Sequence, residues 1–318
     1  MQMVTAIEAL DTAAFIVWSE TSEYDKISFL RIQKLIRAHV ANYVYVEVGS
    51  HLGGTLAPHL ADPRCRTVIS IDPRPGEQQD VRGRSFAYEG NSTTRMIEGL
   101  EQVFPEGCLT KLRTFDLDAA EVCHADIGAR ADLVMIDGEH TTVAAFSDVM
   151  SLLPIIAADA VISFHDANLV ADAIQNLERF FTYASIEFAT VFLRDNVCAI
   201  GLRGMAEHVA AELGPHANDR GQFLANARRQ VWGCIVSEAL LRGDVSSRQE
   251  LDASERACAA LRLELEEAHR TADTALEAAD SQVKIREALA QRLRAIESST
   301  TWRIAGPARW LVSKALRR

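Results

Sequence analysis

Val46-Glu47-Val48-Gly49-Ser50-His51-Leu52-Gly53-Gly54-Thr55 is the stretch from which the fold is read. It closes the apolar run 43–48 and breaks into glycine where a helix would begin. A buried strand that turns through glycine into a helix is the opening unit of an α/β sheet. The spacing is G-x-x-x-G-G. It differs from the G-x-G-x-x-G of dinucleotide folds and argues against a nicotinamide or flavin cofactor. Gly49 permits a tight turn, and Gly53 lets a ligand approach the backbone. Glu47, at the carboxyl end of the strand, can accept a hydrogen bond from an ammonium group.

Outward from this stretch the same rhythm repeats. Short apolar runs at 67–71, 112–115, 133–136 and 160–164 alternate with helix-length stretches such as 93–104 and 142–153. Continuous apolar strands alternating with helices predict parallel strands buried on both faces. Two later runs, 187–193 and 197–202, are separated by Arg194-Asp195-Asn196 and predict an antiparallel hairpin at the sheet edge. The run Val68-Ile69-Ser70-Ile71 ends in Asp72, 23 residues beyond Gly49. An acid at the end of a second strand can accept both hydroxyls of a ribose, so the pair of signals predicts a nucleoside-containing ligand.

The chain has 318 residues, 48% hydrophobic and 24% charged, which is the composition of a folded protein. Its net charge of −11 argues against broad nucleic-acid binding. Residues 1–40 read as a helical region, with Phe29, Leu30, Ile32, Leu35 and Ile36 at helical spacing. A sheet domain over 41–204 and a helical extension over 205–245, broken near Gly214-Pro215, follow. In 246–297 a heptad pattern starts at Leu251, with apolar residues at eleven of fourteen a and d positions. That pattern predicts a coiled coil and a homo-oligomer. The last segment, 298–318, holds five basic and no acidic residues, with Trp302 and Trp310. A basic amphipathic end of this kind suits peripheral contact with an anionic membrane. The six cysteines form no CxxC pair, and the apolar stretch at 13–18 is too short for a signal peptide or a membrane span. These features predict a cytoplasmic protein, at most peripheral to the inner face of a membrane.

Three blocks then carry a resemblance: 47–55, 70–72, and 133–166 with its Ile136-Asp137-Gly138-Glu139-His140 and Phe164-His165-Asp166. The chain resembles the class I S-adenosylmethionine-dependent methyltransferases. Within them it resembles the sugar and small-molecule O-methyltransferase group, which includes macrolide-sugar O-methyltransferases and cephalosporin-hydroxylase-like proteins. With the terminal hairpin the likeness spans about 160 residues. It implies a Rossmann-like, mostly parallel α/β sheet with an antiparallel terminal hairpin. It also implies that Glu47, Gly49, Ser50 and Gly53 hold the methionine part of S-adenosylmethionine, and Asp72 its ribose. The adenine edge falls to Asp118 in Leu117-Asp118-Ala119-Ala120-Glu121, or to the segment Tyr88-Glu89-Gly90-Asn91-Ser92.

Asp137 and Asp166 end neighbouring strands, and two carboxylates at one rim suggest a divalent cation, magnesium or manganese. His165 stands where the family commonly has an acid; as a third ligand it would suit manganese, iron or zinc better than magnesium. The resemblance makes His140 the general base that takes the proton of an acceptor hydroxyl. A turn is expected at 156–160, where the family has a Lys-Pro-Gly-Gly-like sequence, and His51, His59 and His124 are read as structural. The expected function is metal-assisted O-methylation of a sugar or glycan acceptor, in bacterial surface-glycan assembly. Two other readings stand beside it. One is a non-catalytic scaffold that assembles partners through the coiled coil. The other is an iron-dependent hydroxylase built on Asp137, His165 and Asp166.

Overall fold

The 43–48 run becomes β1 (Tyr43–Val48), with every residue buried. A strand buried on both faces needs neighbours on both edges and helices above and below. A computed structural model supplies them; the structure describes residues 2–105 and 107–241. The helices α1 (Gln2–Ala9) and α2 (Glu23–His39) precede β1. Then come α3 (Leu56–Ala61), β2 (Cys65–Ile71), β3 (Glu77–Gln79), β4 (Ser85–Ala87), α4 (Thr93–Val103) and β5 (Leu112–Phe115). The chain continues through α5 (His124–Ile127), β6 (Ala131–Ile136), α6 (Thr142–Leu152), β7 (Ile156–Phe164) and α7 (Ala171–Tyr183). It closes with β8 (Phe188–Phe192), β9 (Cys198–Leu202), α8 (Gly204–His208) and α9 (Arg220–Leu241).

Seven strands form one sheet in the order β5-β2-β1-β6-β7-β9-β8. The pairs from β5 to β7 are parallel, and β9 runs antiparallel to both β7 and β8. This is the mostly parallel, Rossmann-like sheet with an antiparallel terminal hairpin. The order reverses between β1 and β6, which opens a crevice at the carboxyl ends of the strands. Alternation along β1 sends Val44, Val46 and Val48 into one core layer and Tyr43 and Tyr45 into the other. Among the described residues no helix is long and apolar enough to cross a membrane. The expectations for the coiled coil at 246–297 and the basic tail at 298–318 fall outside the described residues.

One local expectation changes, and two segments gain detail. The expected turn at 156–160 is the first half of β7: Ile156 pairs with Ala131, and Ile156 and Ala160 are buried. Their apolar side chains gain more from the core than from a turn. Within the helical region 1–40, two helices are separated by a short turn. Asp11 caps a short turn and Ser22 caps α2, whose Asp25 N–H donates to the Ser22 hydroxyl. The stretch between them, 15–21, is neither helix nor strand and brings Trp18, Ser19, Glu20 and Thr21 into the lining of the cleft at the strand ends. The segment 73–92 folds into the β3–β4 hairpin, tied to the site when the Val81 N–H donates to the His140 carbonyl at 2.9 Å.

A buried polar cluster lies at the start of β1. The Tyr43 hydroxyl donates to Asp62 Oδ2 at 2.9 Å and meets His59 Nδ1 at 2.9 Å, and Arg37 pairs with Asp62. Tyr45 stacks on the His59 ring with centroids 3.7 Å apart. Burial pushes the His59 imidazole down to about 3, against the pull of Asp62. An unfolded chain binds that proton near pH 6.5, so the fold loses stability as pH falls from 6.5 toward 3. His59→Leu is expected to flatten this pH dependence. Urea midpoints at pH 7 and pH 5 check it; an unchanged slope would show that His59 is not the titrating group.

Candidate active site

The strand tips meet through glycine. Gly49 adopts φ +84°, and a Cβ there would lie 2.0 Å from the Asp137 carbonyl oxygen. This close approach lets the Gly49 N–H reach the Ile71 carbonyl at 2.9 Å while the Asp137 N–H reaches that of Val48 at 2.9 Å. The tips of β1, β2 and β6 are thereby held together beside a cleft of about 290 Å³. Gly49, Ser50, Asp72, Asp137, His140, His165 and Asp166 all line that cleft.

The remaining expected ligands lie elsewhere. Glu47 is fully buried and accepts the Tyr45 hydroxyl at 2.6 Å and the Thr55 hydroxyl. Burial lifts its carboxyl to about 8, against those two hydrogen bonds. It faces the layer of Tyr45 rather than the cleft, because alternation along β1 puts it there. Gly53 packs on Met96 and Leu100, so its φ of +81° serves a turn rather than the close approach of a ligand. It is Gly54 that meets the Trp18–Ser19 backbone, where a Cβ would lie 2.4 Å from Ser19 Cβ. Asp118 is exposed and outside the cleft. Of the two segments offered for the adenine edge, 88–92 places Tyr88 and Asn91 in the cleft lining, and 117–121 places none.

Asp72 accepts the His51 N–H at 2.9 Å and the Arg74 N–H at 2.8 Å, with Arg74 Nη1 at 3.2 Å. The buried Arg74 guanidinium also donates to Ser70 Oγ at 3.1 Å and Ser50 Oγ at 3.2 Å, and its Nε to Thr93 Oγ1 at 3.1 Å. It cross-links the tips of β1 and β2 with α4. Sequence reasoning missed it, although Pro73-Arg74-Pro75 directly after the strand acid is a readable signal for a restrained tip. His51, expected to be structural, has φ +43° and lines the cleft between Trp18 and Tyr88. Both rings meet it edge-on, with centroids 6.3 and 5.3 Å away.

At the tips of β6 and β7 the titratable groups converge. His140 Nε2 lies 3.4 Å from Asp137 Oδ1 and 3.5 Å from Asp166 Oδ2, so it bridges the two carboxylates. His165 Nδ1 lies 2.9 Å from Asp137 Oδ1, and its Nε2 lies 3.5 Å from Asp25 Oδ2. Asp25, from the first turn of α2, is buried, accepts the Asn196 N–H at 2.9 Å, and was not singled out from the sequence. Only the tertiary fold carries it there, across 140 residues. Burial opposes charge on Asp137, yet His165 and the His140 hydrogen bond outweigh it and hold the carboxyl at about 2. Burial also opposes charge on the two imidazoles. Asp137 outweighs it for both, so His140 is raised and His165 is raised well above the usual range. Asp166 sits in the left-handed region at φ +43°, a strained conformation of the kind that clusters at active sites.

The donor types here suit a first-row divalent cation. Their placement does not. Among the described residues, the set of three potential ligand atoms lying within 4.8 Å of one another is His39, His208 and Glu212, on another face. In the cleft His140 occupies the space between Asp137 and Asp166, so no chemical step is assigned to a metal. For the nucleoside the match is better: Asp72 and Asn91, both hydrogen-bond acceptors, line the cleft beside the Gly49 turn.

Residues 46–167 match a family model described as a methyltransferase domain. Similar solved structures include a protein described as a caffeoyl-CoA O-methyltransferase from Staphylococcus aureus, 15% identical over 63% of this chain and 92% of that one, with a TM-score of 0.41. The calicheamicin methyltransferase CalS11 is 13% identical over 62% of this chain and 91% of its own, with a TM-score of 0.42. The mycinamycin-pathway methyltransferase MycE, solved with Mg and SAH, is 12% identical over 62% of this chain and 54% of its own, with a TM-score of 0.40. No curated protein matches the sequence. The matched segment is the one that supplies Gly49, Asp72, Asp137, His140, His165 and Asp166, so the cleft and the chain's similarity to a methyltransferase domain coincide.

Proposed function

We propose that the chain is an S-adenosylmethionine-dependent O-methyltransferase with a sugar hydroxyl as acceptor. The observation that carries this reading is His140 bridging Asp137 and Asp166 in the cleft that the Gly49 turn and Asp72 border. S-adenosylmethionine supplies a methyl group on a sulfonium, open to in-line attack. The protein's part is to hold the acceptor oxygen in line and to receive its proton. His140 Nε2 is the receiving atom. Asp137 and Asp166 fix the ring's orientation and stabilise the imidazolium that forms. His165, held between Asp137 and Asp25, keeps the Asp137 carboxylate in place. Asp72 takes the ribose, with Arg74 setting its orientation.

The wider reading is methylation of a bacterial surface glycan. In it the coiled coil at 246–297 assembles copies of the chain, and the tail at 298–318 brings them to an anionic membrane. The test is transfer of labelled methyl from S-adenosylmethionine to candidate glycans, with magnesium or manganese added or chelated. Asp72→Ala is expected to raise KM for the cofactor at least about tenfold, the effect of losing a hydrogen bond to a charged group. An unchanged KM would remove Asp72 from the cofactor site. Absence of S-adenosylmethionine binding at millimolar concentration, measured by calorimetry, would overturn the enzyme reading and leave the scaffold.

A further inference from the structure

We propose a second site, for a zinc-class transition-metal ion, formed by His39, His208 and Glu212 away from the cleft. They come from two segments of the helical layer. His39 ends α2, His208 ends α8, and Glu212 lies in the π-helical turn Val209–Leu213 that follows. One carboxylate oxygen serves both rings. Glu212 Oε1 lies 2.6 Å from His39 Nε2 and 3.8 Å from His208 Nδ1, and all three ligand atoms lie within 4.8 Å of one another.

A tetrahedral zinc ion with bonds of about 2.0–2.1 Å needs ligand atoms about 3.3 Å apart. The 2.6 and 3.8 Å distances bracket that value. Two imidazoles and one glutamate are an established zinc ligand set, which leaves a fourth position for water. Imidazole also suits copper and nickel and disfavours magnesium.

A plain surface ion pair would need only one histidine. Here the second ring stacks on the first, with centroids 3.6 Å apart and planes at 24°, and sets its Nδ1 3.8 Å from the same carboxylate oxygen. The backbones are held while the ligands stay open. Ile36, Val209 and Leu213 are buried beside them, yet the side chains of His39, His208 and Glu212 keep 27%, 43% and 45% exposure. A metal therefore has a route in, and binding it requires the two stacked rings to fan apart so that both nitrogens face one ion. π-Helical turns recur at functional sites, and this one carries a ligand.

The test uses the full-length protein and zinc chloride alone, followed by equilibrium dialysis and thermal unfolding. Parent protein should bind one more equivalent of zinc than His39→Ala or His208→Ala, and zinc should raise the unfolding midpoint of the parent only. Glu212→Gln, which keeps the side chain's shape, should weaken binding at least about tenfold. Methyl transfer without added zinc should be the same in all four proteins, which separates this site from the cleft. If a histidine variant folds poorly, zinc protection of His39 and His208 from diethyl pyrocarbonate in the parent gives the same answer. Equal zinc stoichiometry in parent and variants, or no protection, would overturn the proposal.

Discussion

His140→Ala is expected to lower kcat for methyl transfer by about 10²–10⁴-fold, the usual worth of a positioned general base, while cofactor affinity stays within a few-fold. The reason is geometric. An alcohol is a weak nucleophile, and its proton must leave as the methyl arrives. His140 Nε2 sits between two carboxylates that end neighbouring strands, and the His140 backbone carbonyl accepts the Val81 N–H of the β3–β4 hairpin. Removing the imidazole takes away the group that bridges Asp137 and Asp166 but does not touch Asp72 or the Gly49 turn. His140→Gln keeps a polar group in place and cannot take the proton, so it should be nearly as slow as alanine. The check is single-turnover transfer of labelled methyl, with cofactor binding measured separately by calorimetry. Parent-like turnover in both variants would remove His140 from the chemistry.

Gly49→Ala should cost at least about 3 kcal/mol of stability and abolish activity. Holding a non-glycine residue in a left-handed conformation costs of order 1–3 kcal/mol. Gly49 adds a second penalty, because its new Cβ would lie 2.0 Å from the Asp137 carbonyl oxygen and 2.7 Å from Gly138 Cα. Both are backbone atoms of the adjoining strand tip and cannot swing aside. The tips of β1 and β6 would have to part, and Asp137 would move with them. Gly83 is the control: its φ is +74°, but nothing lies within 4 Å of the added atom. Gly83→Ala should show the conformational term alone. Urea unfolding of the two variants against the parent separates the terms. Equal midpoints for the two would show that the contact at Asp137 is relieved at little cost.

The strands were legible because burial on both faces writes itself as short apolar runs, and β1 and β5 emerge with the boundaries read from sequence. The Ile136–His140 and Phe164–Asp166 blocks were legible for a related reason: they end such runs, and strand ends of a parallel sheet share one rim. The hairpin at 77–87 was not legible, since its strands are three residues long and polar or exposed. Nor was the start of β7, where two alanines and an aspartate look like a turn until pairing with β6 is available.

Local order along the chain determined the class of fold, the glycine turn at Gly49 and the acids at the strand tips, because backbone geometry and alternation act over a few residues. It was packing in three dimensions that turned Glu47 away from the cleft, brought Asp25 against His165, set Arg74 across Asp72, and joined His39 to His208 and Glu212. Those contacts span separations of 2 to 173 residues, and the direction in which a side chain finally points depends on which neighbours fill the space around it.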